Sequence, residues 1–123
     1  MERHCDERRQ RGADAEQAAE RWLCAQGLRT LARNYRCRRG EIDLVMRDGD
    51  YVVFVEVRLR SRSDFGGASA SVDAGKQRRL IAAAQHFLLG QPSLQQTPCR
   101  FDVIATRRSG DWQWLRDAFQ ASY

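Results

Sequence analysis

Lysine is almost absent from this chain: of its 21 basic residues, only Lys76 is not an arginine. A bias that strong points to compositional drift toward arginine, so an arginine where lysine is expected carries little information by itself. Histidine is scarce as well, limited to His4 and His86, and the cysteines Cys5, Cys24, Cys37 and Cys99 form no C-x-x-C pair. Zinc-ligand spacing is therefore missing, which argues against a zinc site. Scattered thiols with no secretory leader read as a reducing, cytoplasmic compartment. No apolar run approaches the ~20 residues of a membrane span, so a soluble protein with no membrane partner is expected.

What is present fits one globular domain. A chain of 123 residues, 42% hydrophobic and 30% charged, can bury most of its apolar surface without a disulfide or a structural metal. The net charge of +5 favours a polyanionic partner such as nucleic acid. Residues 1–11 are almost entirely polar or charged and read as a flexible tail, leaving 12–123 as the domain.

From Gly12 the pattern turns helical. Ala15, Ala18, Ala19, Trp22 and Leu23 recur at helical spacing, and Gly27 stands where a cap belongs. Leu28 to Arg36 reads as an edge strand, followed by a turn at Cys37 to Gly40. Glu41 to Met46 alternates, with Ile42, Leu44 and Met46 on one face and Glu41, Asp43 and Val45 on the other. Asp48-Gly49 predicts a two-residue hairpin turn into a strand over Tyr51 to Leu59, whose two faces are both apolar until Glu56 and Arg58. A Ser/Gly-rich loop over Ser61 to Ser71 precedes a second helix from about Asp73 to Leu89, ended by Gly90 and Pro92. Arg100 to Thr106 is a short strand, and Trp112 to Leu115 a further strand candidate. The expected fold is α/β, a mixed central sheet flanked by helices in α-β-β-β-α-β order.

The acidic residues of the hairpin are the chemical signal. A turn at Asp48-Gly49 sets Glu41 opposite Glu56 and Asp43 opposite Phe54, and any even loop keeps the same parity. Asp43 and Glu56 then become diagonal neighbours on one face, with Cβ atoms about 7 to 8 Å apart. Glu16 lies just beside the apolar arc of helix one and can look toward the same site, whereas Glu20 is better placed for solvent. Crowded, half-buried carboxylates either bind protons or share a cation. All-oxygen ligation points to Mg²⁺ or Mn²⁺, which polarises a phosphoryl oxygen and lowers the pKa of bound water, as phosphodiester hydrolysis requires. Glu41 reads more simply as a strand-end residue paired with a local arginine.

These residues also carry a resemblance. G-x-x-A-E at Gly12 to Glu16, N-Y-R at Asn34 to Arg36, G-E-I-D-L-V at Gly40 to Val45, F-V-E-V-R-x-R at Phe54 to Arg60, Phe65-Gly66, Lys76 and R-F-D-V-I at Arg100 to Ile104 resemble the bacterial YraN-like family of uncharacterised proteins. The resemblance implies a restriction-endonuclease-like fold, related to Holliday-junction resolvases, with a PD-(D/E)xK nuclease motif. It implies Asp43 and Glu56 as metal ligands, Glu16 as an accessory acid, and Arg58 in the place of the motif's lysine. Arginine there stays protonated and cannot serve as a base, although it can bind phosphate bidentately or stabilise developing negative charge.

Lys76 falls on the sheet-facing stripe of helix two, near its N-terminus, and is a second candidate cation. Arg60, Arg62, Arg78 and Arg79 would extend a basic surface for a nucleic-acid backbone. The leading expectation is a Mg²⁺/Mn²⁺-dependent nuclease acting on nucleic acid, DNA in preference to RNA and branched DNA among its forms, with two chains paired as resolvases require. The alternative is a non-catalytic nucleic-acid-binding module that lost metal chemistry at Arg58. A third reading is an interaction scaffold using Trp112 to Phe119.

Overall fold

In the computed structural model, residues 3–59, 72–106 and 111–121 are described, with side chains from residue 14. Helix α1 spans Arg3–Ala25, and strands β1 Arg29–Cys37, β2 Gly40–Asp48 and β3 Tyr51–Leu59 follow. Helix α2 spans Ala74–Leu89; a 3-10 turn at Pro92–Leu94 leads to β4 Cys99–Thr106 and β5 Trp112–Phe119. The strands form one sheet in the order β1-β2-β3-β4-β5, antiparallel except where β4 returns beside β3 in parallel. The parallel step follows from α2, which carries the chain back across the sheet between β3 and β4. Among the described residues the architecture is thus a mixed α/β sheet with two α-helices, and β5 is a strand that the α-β-β-β-α-β order omitted.

Several boundaries differ from expectation for definable reasons. Helix α1 begins at Arg3 rather than Gly12. Its first turns carry four arginines with Glu7 and Gln10, good helix formers that extend a helix without an apolar repeat in the sequence. The helix closes at Gly27, whose φ of 102° suits a left-handed cap and whose N–H donates to Cys24 O at 3.0 Å. β5 runs on to Phe119 through an irregular pairing with β4, and Asp117 adopts a φ of 51° there. The Ser61 to Ser71 loop, Arg60 and Arg62 lie outside the described residues.

The hairpin turn is the most consequential difference. Asp48 pairs with Tyr51, so the two-residue loop is Gly49-Asp50 and not Asp48-Gly49. Gly49 has φ 57° in the first loop position, the place where a type II′ turn wants glycine. The register therefore moves by two residues, giving Leu44 opposite Val55 and Val45 opposite Phe54. Because the shift is even, facing is preserved, and the next step of the ladder would set Asp43 directly against Glu56 instead of diagonally.

β3 is central and buried on both sides, as its sequence predicts. Val53 and Val55 pack with Ala19 and Leu23 of α1, together with Leu44, Met46 and Ile104. Val52 and Phe54 pack with Leu80, Ala83 and Phe87 of α2, together with Val45, Phe101 and Val103. Ile42 belongs to this α2-side core, away from Leu44 and Met46. The expected grouping of Ile42 with those two fails because the alternation of β2 breaks around Asp43.

A buried polar knot fixes the far edge. Asp102 accepts from Arg100 Nε at 3.0 Å, from Trp114 Nε1 at 2.9 Å and from the Asp117 N–H at 2.9 Å. Arg100 also reaches Asp48 at 2.7 Å, tying β4 to the end of β2. These contacts satisfy a fully buried carboxylate and anchor the irregular stretch of β5. Trp22 of α1 packs on Trp112 and Trp114, with ring centroids 6.0 and 5.7 Å apart, and the three half-buried rings pack against the α1-side core.

Candidate functional site

Glu56 lies near the C-terminal end of β3, buried, on the face covered by α2. Two cations meet the same oxygen, Oε2: Arg58 Nε at 3.2 Å from its own strand and Lys76 Nζ at 3.3 Å from α2. Lys76 is brought there by the start of α2, where Asp73 caps the helix by accepting from the Lys76 N–H at 2.8 Å. That bond holds the Asp73 carboxyl below its ordinary range. The lysine thus arrives from another element, beside Arg58 of β3.

Asp43 occupies the break in β2. Its Oδ2 accepts from the Val57 N–H at 2.8 Å, so a side chain replaces a ladder bond where the β2–β3 pairing has ended. On the other side, Arg33 pairs with Leu44 and Tyr35 with Ile42, which leaves Asn34 opposite Asp43. Asn34 has φ 49°, a left-handed conformation that asparagine tolerates better than most residues. Asp43 therefore sits between strands, accessible to groups from both sheet faces.

The electrostatics follow this placement. Burial pushes the Glu56 carboxyl from 4.5 up to about 7, with the Asp43 charge adding to it and Lys76 and Arg58 opposing. Burial also raises Glu16 on α1, with Asp43 the next cause, while the Asn34 side chain in hydrogen-bonding reach lowers it. Asp43 is the common neighbour of both glutamates. Among the described residues, however, no three of His, Cys, Asp or Glu stand close enough to hold one metal ion. The donors that gather here are the two carboxylates of Asp43 and Glu56, with Glu16 of α1 also within electrostatic reach of Asp43.

The other sequence candidates fall in distinct places. Arg78 and Arg79 are exposed on α2. Glu41 is paired with Arg36 at 3.2 Å, as a strand-end residue would be. Glu20, expected in solvent, instead accepts from Thr30 Oγ1 at 2.6 Å and Arg33 Nε at 2.8 Å, tying α1 to β1. His86 hydrogen-bonds Tyr35 through Nδ1, a contact away from the carboxylates. Asn34 was not singled out as a site residue in the sequence; an asparagine inside a strand opposite an aspartate was the available signal.

Comparison with known proteins places these residues in one family. The model of "Uncharacterised protein family UPF0102" matches residues 15–106, a span that contains Glu16, Asn34, Asp43, Glu56, Arg58 and Lys76. This chain belongs to the UPF0102 family. It is 54% identical over 115 residues to the UPF0102 protein of Methylobacillus flagellatus, covering 92% of this chain and 99% of that one. A UPF0102 protein of Nitrosomonas europaea is 53% identical over 114 residues, covering 91% and 95% of the two chains. That of Alcanivorax borkumensis is 50% identical over 112 residues, covering 88% and 90%. The resemblance to an uncharacterised bacterial family is thereby borne out, and the UPF0102 match runs through every described residue of the candidate site.

Proposed function

We propose that this UPF0102 chain is a metal-dependent nuclease of restriction-endonuclease-like architecture, hydrolysing phosphodiester bonds in nucleic acid. One observation carries the proposal: a buried glutamate at a strand end is met by an aspartate across the hairpin and by a lysine 3.3 Å away on α2. A cation for the motif would then come from α2, which supports the reading in spite of Arg58.

Asp43 and Glu56 would hold Mg²⁺ or Mn²⁺, which when bound supplies Lewis-acid stabilisation and lowers the pKa of water. The Val57 N–H orients Asp43. Arg58 stays protonated and binds phosphate oxygens, stabilising charge that develops there. Lys76 can act likewise from α2, where its Nζ stands 3.3 Å from Glu56 Oε2. Glu16, whose carboxyl is raised by burial and by the Asp43 charge, would stand as the accessory acid beside Asp43. DNA is the expected substrate class, with branched forms included.

A second reading is supported by a specific observation. Both cations already neutralise Glu56, and no third carboxylate closes the site among the described residues. The chain would then be a nucleic-acid-binding module with the nuclease fold and no hydrolysis. Cleavage of branched, flapped and single-stranded DNA and RNA with Mg²⁺ or Mn²⁺ separates the two. The nuclease reading expects Asp43→Asn and Lys76→Ala each to lower cleavage on the order of 100-fold or more. Cleavage that survives Asp43→Asn refutes the site, and cleavage seen only in Arg58→Lys supports the binding module.

A further inference from the structure

Between the β1–β2 turn and the first half of α2 lies a cleft of about 340 Å³. Arg36, Arg38, Arg39, Lys76 and Arg79 line it, with Glu41 on its rim. Glu41 is already engaged by Arg36 at 3.2 Å. Arg38, Arg39 and Arg79 are exposed and form no ion pair with a described residue. Among the described residues that line the cleft, Glu41 is the one acid against five basic side chains, so the cleft concentrates positive charge.

The turn is held against the helix by a close backbone approach. A Cβ on Gly40 would fall 2.6 Å from the Arg79 carbonyl oxygen, so only glycine lets the turn lie this near α2. That contact delivers Arg38 and Arg39 beside Arg79. Lys76 lines the cleft and also reaches Glu56 at 3.3 Å, so the basic cleft and the carboxylate site share a wall.

We propose that this cleft binds the phosphodiester backbone of the nucleic acid, seating phosphates that neighbour the one presented to Asp43 and Glu56. The assignment rests on the nucleic-acid reading above and adds Arg38 and Arg39 to it. Guanidinium forks match phosphate oxygens bidentately, and three of them in one concavity repel each other unless an anion joins them. The lining contains no aromatic side chain on which a base could stack, so the contact is to backbone and not to sequence. Its apolar lining is limited to Cys37 and Leu80, with Leu80 buried, too little to seat an apolar protein partner or enter a lipid surface.

The test is fluorescence anisotropy with labelled duplex DNA and single-stranded DNA of equal length, titrated across a salt series in EDTA. Chelation removes metal-dependent cleavage, so binding is read independently of the nuclease reading. The variant is Arg38→Ala/Arg39→Ala/Arg79→Ala, against a charge-matched control, Arg21→Ala/Arg29→Ala/Arg47→Ala, with folding of both verified by circular dichroism. Each lost phosphate contact should reduce the slope of log K against log salt by about 0.9 on duplex and about 0.7 on single strand. The cleft variant should lose two to three such contacts, on the order of 100-fold in affinity at 0.1 M salt. Loss on duplex alone assigns the cleft to duplex backbone, and equal loss on both probes assigns it to either strand form. An unchanged slope, an equal loss in the control, or binding to anionic phosphatidylserine vesicles without DNA binding overturns the proposal. If Asp43→Asn abolishes no activity while the cleft variant still loses binding, the nuclease reading fails and the cleft stands.

Discussion

Replacing Glu56 by glutamine tests the electrostatic heart of the site. The carboxyl is buried, and its folded pKa of about 7 stands above the ordinary 4.5. The native state consequently binds more protons than the unfolded chain between those values. Stability is fully present below about pH 4.5, falls as pH rises toward 7, and levels off above it. At about 1.4 kcal/mol per pH unit, the loss is about 3 kcal/mol, and the attraction of Lys76 and Arg58 is already contained in that figure. Glu56→Gln mimics the protonated carboxyl at every pH. In urea unfolding with chelator at 25 °C, mutant and wild type should differ by less than about 1 kcal/mol at pH 5. At pH 8 the mutant should be more stable by about 3 kcal/mol. Mn²⁺ should close the gap, because a cation at 100 times its Kd adds about 2.7 kcal/mol to the wild type and less to a mutant lacking one ligand. A gap that stays constant between pH 5 and pH 8 would refute the buried-carboxylate reasoning, and a gap indifferent to Mn²⁺ would refute the metal site.

Two further outcomes follow from packing. Asp102→Asn turns one acceptor of a buried carboxylate into a donor facing Arg100, Trp114 or the Asp117 N–H, and should cost about 3 to 5 kcal/mol, read as a lower urea midpoint with unchanged slope. A wild-type midpoint in that variant would mean the β5 edge is held by other contacts. Gly40→Ala forces the turn away from the Arg79 carbonyl and should cost about 1 to 3 kcal/mol while weakening nucleic-acid binding as Arg38 and Arg39 move off the cleft. Full stability in Gly40→Ala would show that the approach is not tight.

Local pattern carried much of the fold. The apolar runs of β3 and the α2 stripe between Asp73 and Gly90 were legible, because each depends on periodicity or on residues a few positions apart. The hairpin register was ambiguous, since Asp48-Gly49 and Gly49-Asp50 both offer a two-residue turn and differ only in which loop position takes the glycine. Ile42 was misassigned because alternation assumes an unbroken strand, and the break comes from a side chain, Asp43, bonding the Val57 N–H. The start of α1 was not legible because residues 3–11 carry no apolar repeat in the sequence that periodicity could detect.

By itself, the sequence determined the mixed α/β class and the helices α1 and α2, since hydrophobic period is a property of neighbouring residues. The tertiary structure decided which cation reaches Glu56 and where the arginines gather. Lys76 comes to Glu56 because the α2 crossover returns over the face of β3, and Arg38 and Arg39 come to Arg79 because Gly40 lets a turn rest on a helix. Both are contacts between segments distant in the chain, set by the packing of whole elements and not by any local pattern.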